Sequence, residues 1–143
     1  MLPRLPQLFL TLLFLTLVGC DSGLQVVAVS GTLMRQGKPV PNLFINFEPD
    51  KGRPSWAQAD ANGRFTLKYD DKNDGALVAN HTVWVLWRPA NAKEEMVELG
   101  FEKGKTNKPA DLKEITKKFG SKAKSPLKIQ ISKPESNLEL KLD

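Results

Sequence analysis

The sequence predicts an all-β fold of seven antiparallel strands with one short crossover helix, preceded by a cleaved signal peptide. Two observations predict the strands: apolar and polar residues alternate in short runs, and clusters of Gly, Pro, Asn and Asp separate those runs. A third observation predicts the helix, because Leu112, Ile115 and Phe119 recur at helical spacing within a long, lysine-rich connection over residues 89–125. With 143 residues, the chain has the length of one domain.

The N-terminal segment predicts export. Residues 8–18 are apolar except for two threonines, a run that is too short to span a membrane but typical of a secretory signal. Leu17-Val18-Gly19-Cys20 follows directly. These four residues resemble the bacterial lipobox, in which the cysteine is lipidated and becomes the new N-terminus. The other interpretation is an ordinary signal peptide with a chance cysteine, and the position right after the apolar run favours the lipobox.

The lipobox interpretation divides the chain into a lipoprotein signal peptide over residues 1–19, a lipidated cysteine with a short linker over 20–25, and a domain over 26–143. A lipobox cysteine receives a diacylglycerol and often a third acyl chain such as palmitate, and two or more chains hold a protein firmly on a membrane. Because Cys20 is the only cysteine, no intrachain disulfide can form. The formal net charge of +5 favours anionic surfaces slightly but is too small to indicate nucleic acid binding.

The seven strands are predicted over residues 24–35, 43–47, 56–60, 64–69, 81–88, 126–132 and 138–142. The third and fourth strands meet at Asp60-Ala61-Asn62-Gly63, where Asn and Gly accept positive φ and Asp60 can accept a backbone hydrogen bond two residues on. The last two strands alternate cleanly between apolar and polar residues, and residues 133–137 are predicted to join them as a hairpin.

The crossover helix is predicted over residues 112–119. Asp111 and Glu114 stand at the spacing of a capping box, and Gly120 is a suitable C-terminal stop. A lysine cluster follows the same segment and continues into the sixth strand, at Lys117, Lys118, Lys122, Lys124 and Lys128. It is interpreted as a solvated face, with contact to anionic lipid or an acidic envelope polymer as the sharper alternative.

Two groups of residues invite a metal-site interpretation. The loop over residues 70–80 is rich in Asp and Asn, but Lys72 and His81 occupy the third and twelfth positions of an EF-type calcium loop, where oxygen ligands are needed. A solvated loop is favoured over a looser calcium site. His81 is the only histidine, and it is predicted to lie on the surface at a strand edge. No metal site and no cofactor is therefore predicted.

Eight short motifs together resemble a known family. In order they are Val29-Ser30-Gly31-Thr32, Gly37 to Pro41, Phe47-Glu48-Pro49, Gly52-Arg53-Pro54, Asp60 to Phe65, Asp74-Gly75-Ala76, Val83 to Val85 with Trp87, and Ser125-Pro126-Leu127. The set resembles a prealbumin-like, or transthyretin-like, β-sandwich, and more closely the small bacterial lipoproteins with a carboxypeptidase regulatory-like domain. Such a domain is the non-catalytic β-module beside a peptidase, so the resemblance implies no activity.

The resemblance also implies that the second and fifth strands are neighbours in one sheet. Phe44 and Trp84 would then be outward-facing neighbours with Leu86 beside them. One hypothesis is that the crossover covers this apolar patch through Leu112, Ile115 and Phe119, and it is favoured because a large exposed patch is a liability. The rival hypothesis is an exposed aromatic surface for a sugar or a partner.

The residues argue against catalysis. Acyl transfer needs a nucleophile with a base, and hydrolytic zinc needs three ligands, whereas the chain has one histidine and one cysteine. The expected function is a non-catalytic envelope lipoprotein, facing the periplasm or the exterior, with a structural or protein-assembly role. The alternative is binding of an envelope polysaccharide or peptide, in which Phe44, Trp56 and Trp84 stack on the ligand with Leu86 beside them.

Overall fold

The computed structural model describes residues 23–143. The predicted signal peptide, the lipobox residues Leu17, Val18 and Gly19, and the predicted lipidation site Cys20 lie outside the described residues. Within residues 23–143, neither helix has the length and apolar character that crossing a membrane requires.

Residues 23–143 form mostly β-structure, with ten strands and two helices. The strands are β1 (Val26–Val27), β2 (Val29–Arg35), β3 (Lys38–Pro39), β4 (Leu43–Pro49), β5 (Ser55–Gln58), β6 (Arg64–Thr66), β7 (Ala76–Leu77), β8 (Ala79–Trp87), β9 (Lys128–Ile131) and β10 (Glu135–Lys141). The helices, α1 (Ala92–Glu98) and α2 (Ala110–Phe119), both lie between β8 and β9.

The strands form two four-stranded sheets and one two-stranded ribbon. In the first sheet β2 pairs with β10, β3 and β6, and in the second sheet the order is β5-β4-β8-β9. The ribbon pairs β1 with β7. One apolar core lies between the two sheets, and it includes Leu33 from β2, Ile45 and Phe47 from β4, and Val83 and Val85 from β8.

The prediction of seven strands is wrong, because β1, β3 and β7 are additional strands of two residues each. The first predicted strand is also broken at Ala28, between β1 and β2. A strand of two residues is too short to show a period-two pattern, and the turn residues around it make the segment resemble a loop.

The prediction of a wholly antiparallel fold is also wrong, because β10 runs parallel to β2. Residues 133–137 do not close a hairpin, since β9 pairs with β8 in one sheet while β10 pairs with β2 in the other. The turn at Asp60 forms as predicted, with its carboxylate accepting from the Asn62 and Arg64 amides at 2.8 and 2.9 Å. However, that turn also carries the chain from the second sheet to the first, and its two sides are joined by the hydrogen bond from the Asp60 amide to the Arg64 carbonyl at 2.8 Å and by the isolated Trp56–Lys68 bridge. Alternation identifies a half-buried strand, but it does not identify the strand's partner.

The crossover helix is confirmed, and its predicted start is corrected. Helix α2 begins at Ala110 with Pro109 as the N-cap, and no side chain caps it. The capping box of Asp111 and Glu114 therefore does not form, and Glu114 instead pairs with Arg35 at 2.7 Å.

The long connection contains a second helix that was not predicted. Helix α1 begins after Asn91, whose side chain accepts a hydrogen bond from the Glu94 amide at 2.8 Å. The spacing of Asn91 and Glu94 is a start signal that the sequence offered. Helix α1 has no buried residue, so it lacks the apolar stripe that makes a helix recognisable.

Replacing Gly75 should destabilise the fold, because its φ is +122° and a Cβ there would meet the Val27 carbonyl oxygen at 1.9 Å. We expect Gly75→Ala to lower the free energy of unfolding, measured by urea denaturation, by about 3 kcal/mol from backbone strain and overpacking combined. Gly37→Ala is the matched control, because Gly37 has φ +76° but open space around its Cβ position. The control should lose about 1 kcal/mol. Equal losses in both variants would contradict a close approach of Gly75 to β1.

Candidate functional site

The outer face of the second sheet brings the predicted binding residues together. Strand β4 alternates, with Leu43, Ile45 and Phe47 fully buried and the side chains between them half-buried on the opposite face. The outward Asn46 lies directly opposite Trp56 on β5 and opposite Trp84 on β8. These three side chains therefore form one row across three strands.

A second row lies beside the first. Phe44 is directly opposite Leu86 on β8 and Gln58 on β5. The predicted neighbours Phe44 and Trp84 do share this face, but they stand diagonally rather than directly opposite each other. We call Phe44, Asn46, Trp56, Trp84 and Leu86 the aromatic platform. Trp56 is 44% exposed, and the other four side chains are half-buried.

Charged neighbours hold two of the rings in place. The Trp84 indole N–H donates to Glu48 at 3.3 Å, and Glu48 is paired with Lys122 at 2.9 Å. The Arg88 guanidinium lies 5.1 Å from the centre of the Phe44 ring, the geometry of a cation–π contact. These contacts fix the orientation of the Trp84 and Phe44 rings.

Asn46 is the platform residue that the sequence analysis did not single out. Its amide nitrogen is buried and has no hydrogen-bond partner among residues 23–143. Leaving a buried polar group unpaired costs roughly 1–3 kcal/mol. The signal for this residue was present in the sequence, since Asn46 occupies the outward position in the alternating run over residues 43–47.

The crossover helix does not cover the platform through its apolar stripe. Leu112, Ile115 and Phe119 are buried in the core, in one cluster with Val83 and Val85. Val83 and Val85 point away from the face that carries Trp84 and Leu86, because neighbouring strand residues point to opposite faces. The coverage hypothesis is therefore wrong, because the apolar stripe of α2 is part of the core between the sheets. Arg35 of the first sheet donates hydrogen bonds to the Asp111 carbonyl and to the Glu114 carboxylate of this helix.

Two open depressions lie on the outer faces. One of about 550 Å³ adjoins the platform at Phe44 and Gln58, with Arg88 in its wall. The other, of about 540 Å³, lies on the first sheet and is lined mainly by polar side chains such as Ser30, Thr32 and Arg64. Of these two depressions, the first borders the platform, through the half-buried ring of Phe44.

The prediction of a surface position for His81 is wrong. The ring is 1% exposed, and its Nε2 donates to the Leu77 carbonyl at 2.8 Å. It packs against Phe47 with ring centres 5.6 Å apart, and its Nδ1 has no partner in the described part of the chain. Strand β8 begins two residues before His81, so this position lies within the sheet rather than at its edge.

The acidic loop after β6 is organised by Asp70. Its carboxylate accepts hydrogen bonds from the backbone of Lys72 and from both the backbone and the side chain of Asn73, at 2.8–3.0 Å. The Asn73 side chain and the Lys72 amide, in that order, lower the pKa of Asp70. Among residues 23–143, no three His, Cys, Asp or Glu side chains are grouped as a metal site would need.

Searches of protein-family models, of curated proteins and of solved structures found no match to this chain.

The Asn73 side chain should set the titration of Asp70. We expect Asn73→Ala to raise the pKa of Asp70 toward its ordinary value, measured by the pH dependence of its carboxyl carbon signal in NMR. Because the folded pKa is lowered, the loop's stabilisation is present above the unfolded pKa and is lost as the pH falls through the folded pKa. Asn137→Ala, on the exposed part of β10, should leave the Asp70 signal unchanged. An unchanged pKa in Asn73→Ala would assign the shift to backbone donors instead.

Proposed function

We propose that this chain is a non-catalytic lipoprotein of the bacterial cell envelope, anchored by lipid on Cys20, whose aromatic platform binds an envelope polysaccharide. The observation that carries the proposal is the row of Trp56, Asn46 and Trp84 on the outer face of the second sheet. The two indoles offer apolar faces to sugar rings, and the oxygen of the Asn46 amide between them can accept hydrogen bonds from sugar hydroxyls, since only the amide nitrogen is buried.

The arrangement of polar and aromatic groups favours a polysaccharide over the other roles that the sequence left open. Protein interfaces have a continuous apolar centre with a polar rim, whereas here Asn46 stands in the middle and Gln58 and Glu48 stand in the adjoining rows. An extended peptide binds most readily by adding a strand to a sheet edge, and the platform is a face. A structural or assembly role would have to use another surface.

The absence of catalysis is part of the proposal, and the position of the only histidine supports it. The only histidine is enclosed in the core, where its Nε2 is bound to a backbone carbonyl. The only cysteine, Cys20, would be acylated in the anchored protein. The β-structure begins at Val26, so a lipid on Cys20 would hold the domain close to a membrane, facing the periplasm or the exterior.

Removing the two platform indoles should weaken retention on polysaccharide. We expect the full-length chain, purified in detergent, to be retained on envelope polysaccharide freed of protein. The Trp56→Ala/Trp84→Ala double variant should bind roughly 10- to 100-fold more weakly, since each ring contributes about 0.5–1.5 kcal/mol beyond its buried area. Phe101→Ala is the control, because Phe101 is 73% exposed but lies off the platform.

Thermal unfolding of each variant would separate lost binding from lost folding. If the wild type and the double variant instead recover the same single envelope protein, and neither is retained on polysaccharide, the chain is an assembly factor that uses another surface. That result would replace the present proposal.

The lipid anchor has its own test. We expect Cys20→Ala to abolish incorporation of labelled palmitate and to release the chain from the membrane fraction, because two or more acyl chains are needed for firm attachment. Cys20 is the only cysteine, so no other thiol can accept the label. A variant that stays in the membrane fraction after high-salt washing would contradict the anchor.

A further inference from the structure

The spacing of the two platform tryptophans fits an extended glycan. Neighbouring strands lie about 4.8 Å apart, so the backbone positions of Trp56 on β5 and Trp84 on β8 are separated by two strand spacings, or about 10 Å. That distance is close to the length of one disaccharide unit in an extended, β-1,4-linked chain. Two alternate rings could therefore stack on the two indoles, with the ring between them over Asn46.

A lysine extends this row at the β5 end. Lys68 forms an antiparallel bridge with Trp56, through backbone hydrogen bonds of 3.0 and 2.8 Å, so the two side chains point to the same face. Asp74 stands opposite Lys68 in the next bridge. Even so, no carboxylate oxygen lies within 4.0 Å of the Lys68 ammonium among the described residues.

A second lysine stands near the other end of the row. Lys128 on β9 is opposite Thr82, and it is therefore the diagonal neighbour of Trp84. Its ammonium donates to the neutral Thr82 hydroxyl at 2.6 Å and has no carboxylate within 4.0 Å in residues 23–143. By contrast, Glu48 on the same face is already paired with Lys122.

From this arrangement we propose that the ligand is an acidic, extended glycan that crosses the strands. Alternate rings stack on Trp56 and Trp84, the ring between them meets the Asn46 amide oxygen, and carboxylates of the sugar chain pair with Lys68 and Lys128. This inference rests on the proposed function and adds the charge, the direction and the minimum length of the ligand. Three consecutive rings are needed to reach both indoles.

A matched pair of sugars tests the charge. The probes are the hexasaccharides of β-1,4-linked glucuronic acid and of β-1,4-linked glucose, which differ only at C6 of each ring. Binding to the full-length chain in detergent is measured by calorimetry and by tryptophan fluorescence. We expect the acidic hexasaccharide to bind about tenfold more tightly, as two exposed ion pairs allow, and we expect added salt to reduce that preference.

Two double variants with equal net charge identify the lysines. Lys68→Gln/Lys128→Gln should reduce the preference for the acidic sugar to less than about twofold while leaving binding of the neutral sugar unchanged. Lys113→Gln/Lys117→Gln, on the exposed side of α2, should keep the wild-type preference. A ladder of acidic oligosaccharides should show its steepest gain in affinity between the disaccharide and the trisaccharide.

The outcomes separate this inference from the proposed function. Equal binding of the neutral and acidic sugars, with loss in the tryptophan double variant, would overturn the acidic ligand and leave the polysaccharide proposal standing. Equally tight binding of polyglutamate would also overturn the inference, because it would show attraction to any polyanion. No binding of either hexasaccharide, together with no retention on envelope polysaccharide, would overturn both.

Discussion

The alternation of side chains along β4 is the constraint on which the rest of the structure depends. Leu43, Ile45 and Phe47 are fully buried, and burying each such side chain contributes about 1.5–3 kcal/mol. Sliding the strand by one residue would bring Asn46 into the core and expose all three apolar side chains. The register with β5 and β8 is thereby fixed, and so is the row that Asn46 forms with the two tryptophans. The geometry of the site follows from the burial of residues that a ligand would never touch.

The sequence predicted the parts of the fold that depend on local pattern. The outward positions of Phe44, Trp84 and Leu86 and the pairing of the two central strands, which the family resemblance implied rather than local pattern, are confirmed. So is the buried stripe of α2. The parallel pairing of β10 with β2 could not be predicted, because a half-buried strand alternates in the same way whatever its partner's direction. The burial of His81 was missed for a related reason. The ring is buried because β8 begins before His81, and the sequence pattern does not define where a strand begins.

The position of α2 shows why an apolar stripe alone does not identify what it covers. The stripe was assigned to the exposed patch because both needed a partner. In the structure, the apolar stripe of α2 packs into the core between the two sheets, and Glu114 of the helix forms an ion pair with Arg35 of the first sheet. The neighbours of the aromatic platform include two ion pairs, Glu48 with Lys122 on one side and Arg88 with Glu95 on the other. The aromatic platform is therefore a surface bordered by polar groups and is not part of the core.

The ribbon of β1 and β7 sets the orientation of the domain relative to its proposed anchor. Val26 and Val27 pair with Leu77 and Ala76, just before β8 begins, whereas α1 follows the end of β8. The N-terminal end of the domain and α1 are therefore at opposite ends of the nine-residue strand β8, about 30 Å apart. If Cys20 carries a lipid as proposed, six residues before β1, the end of the domain that holds the ribbon would be the end nearest the bilayer, and α1 would lie at the far end.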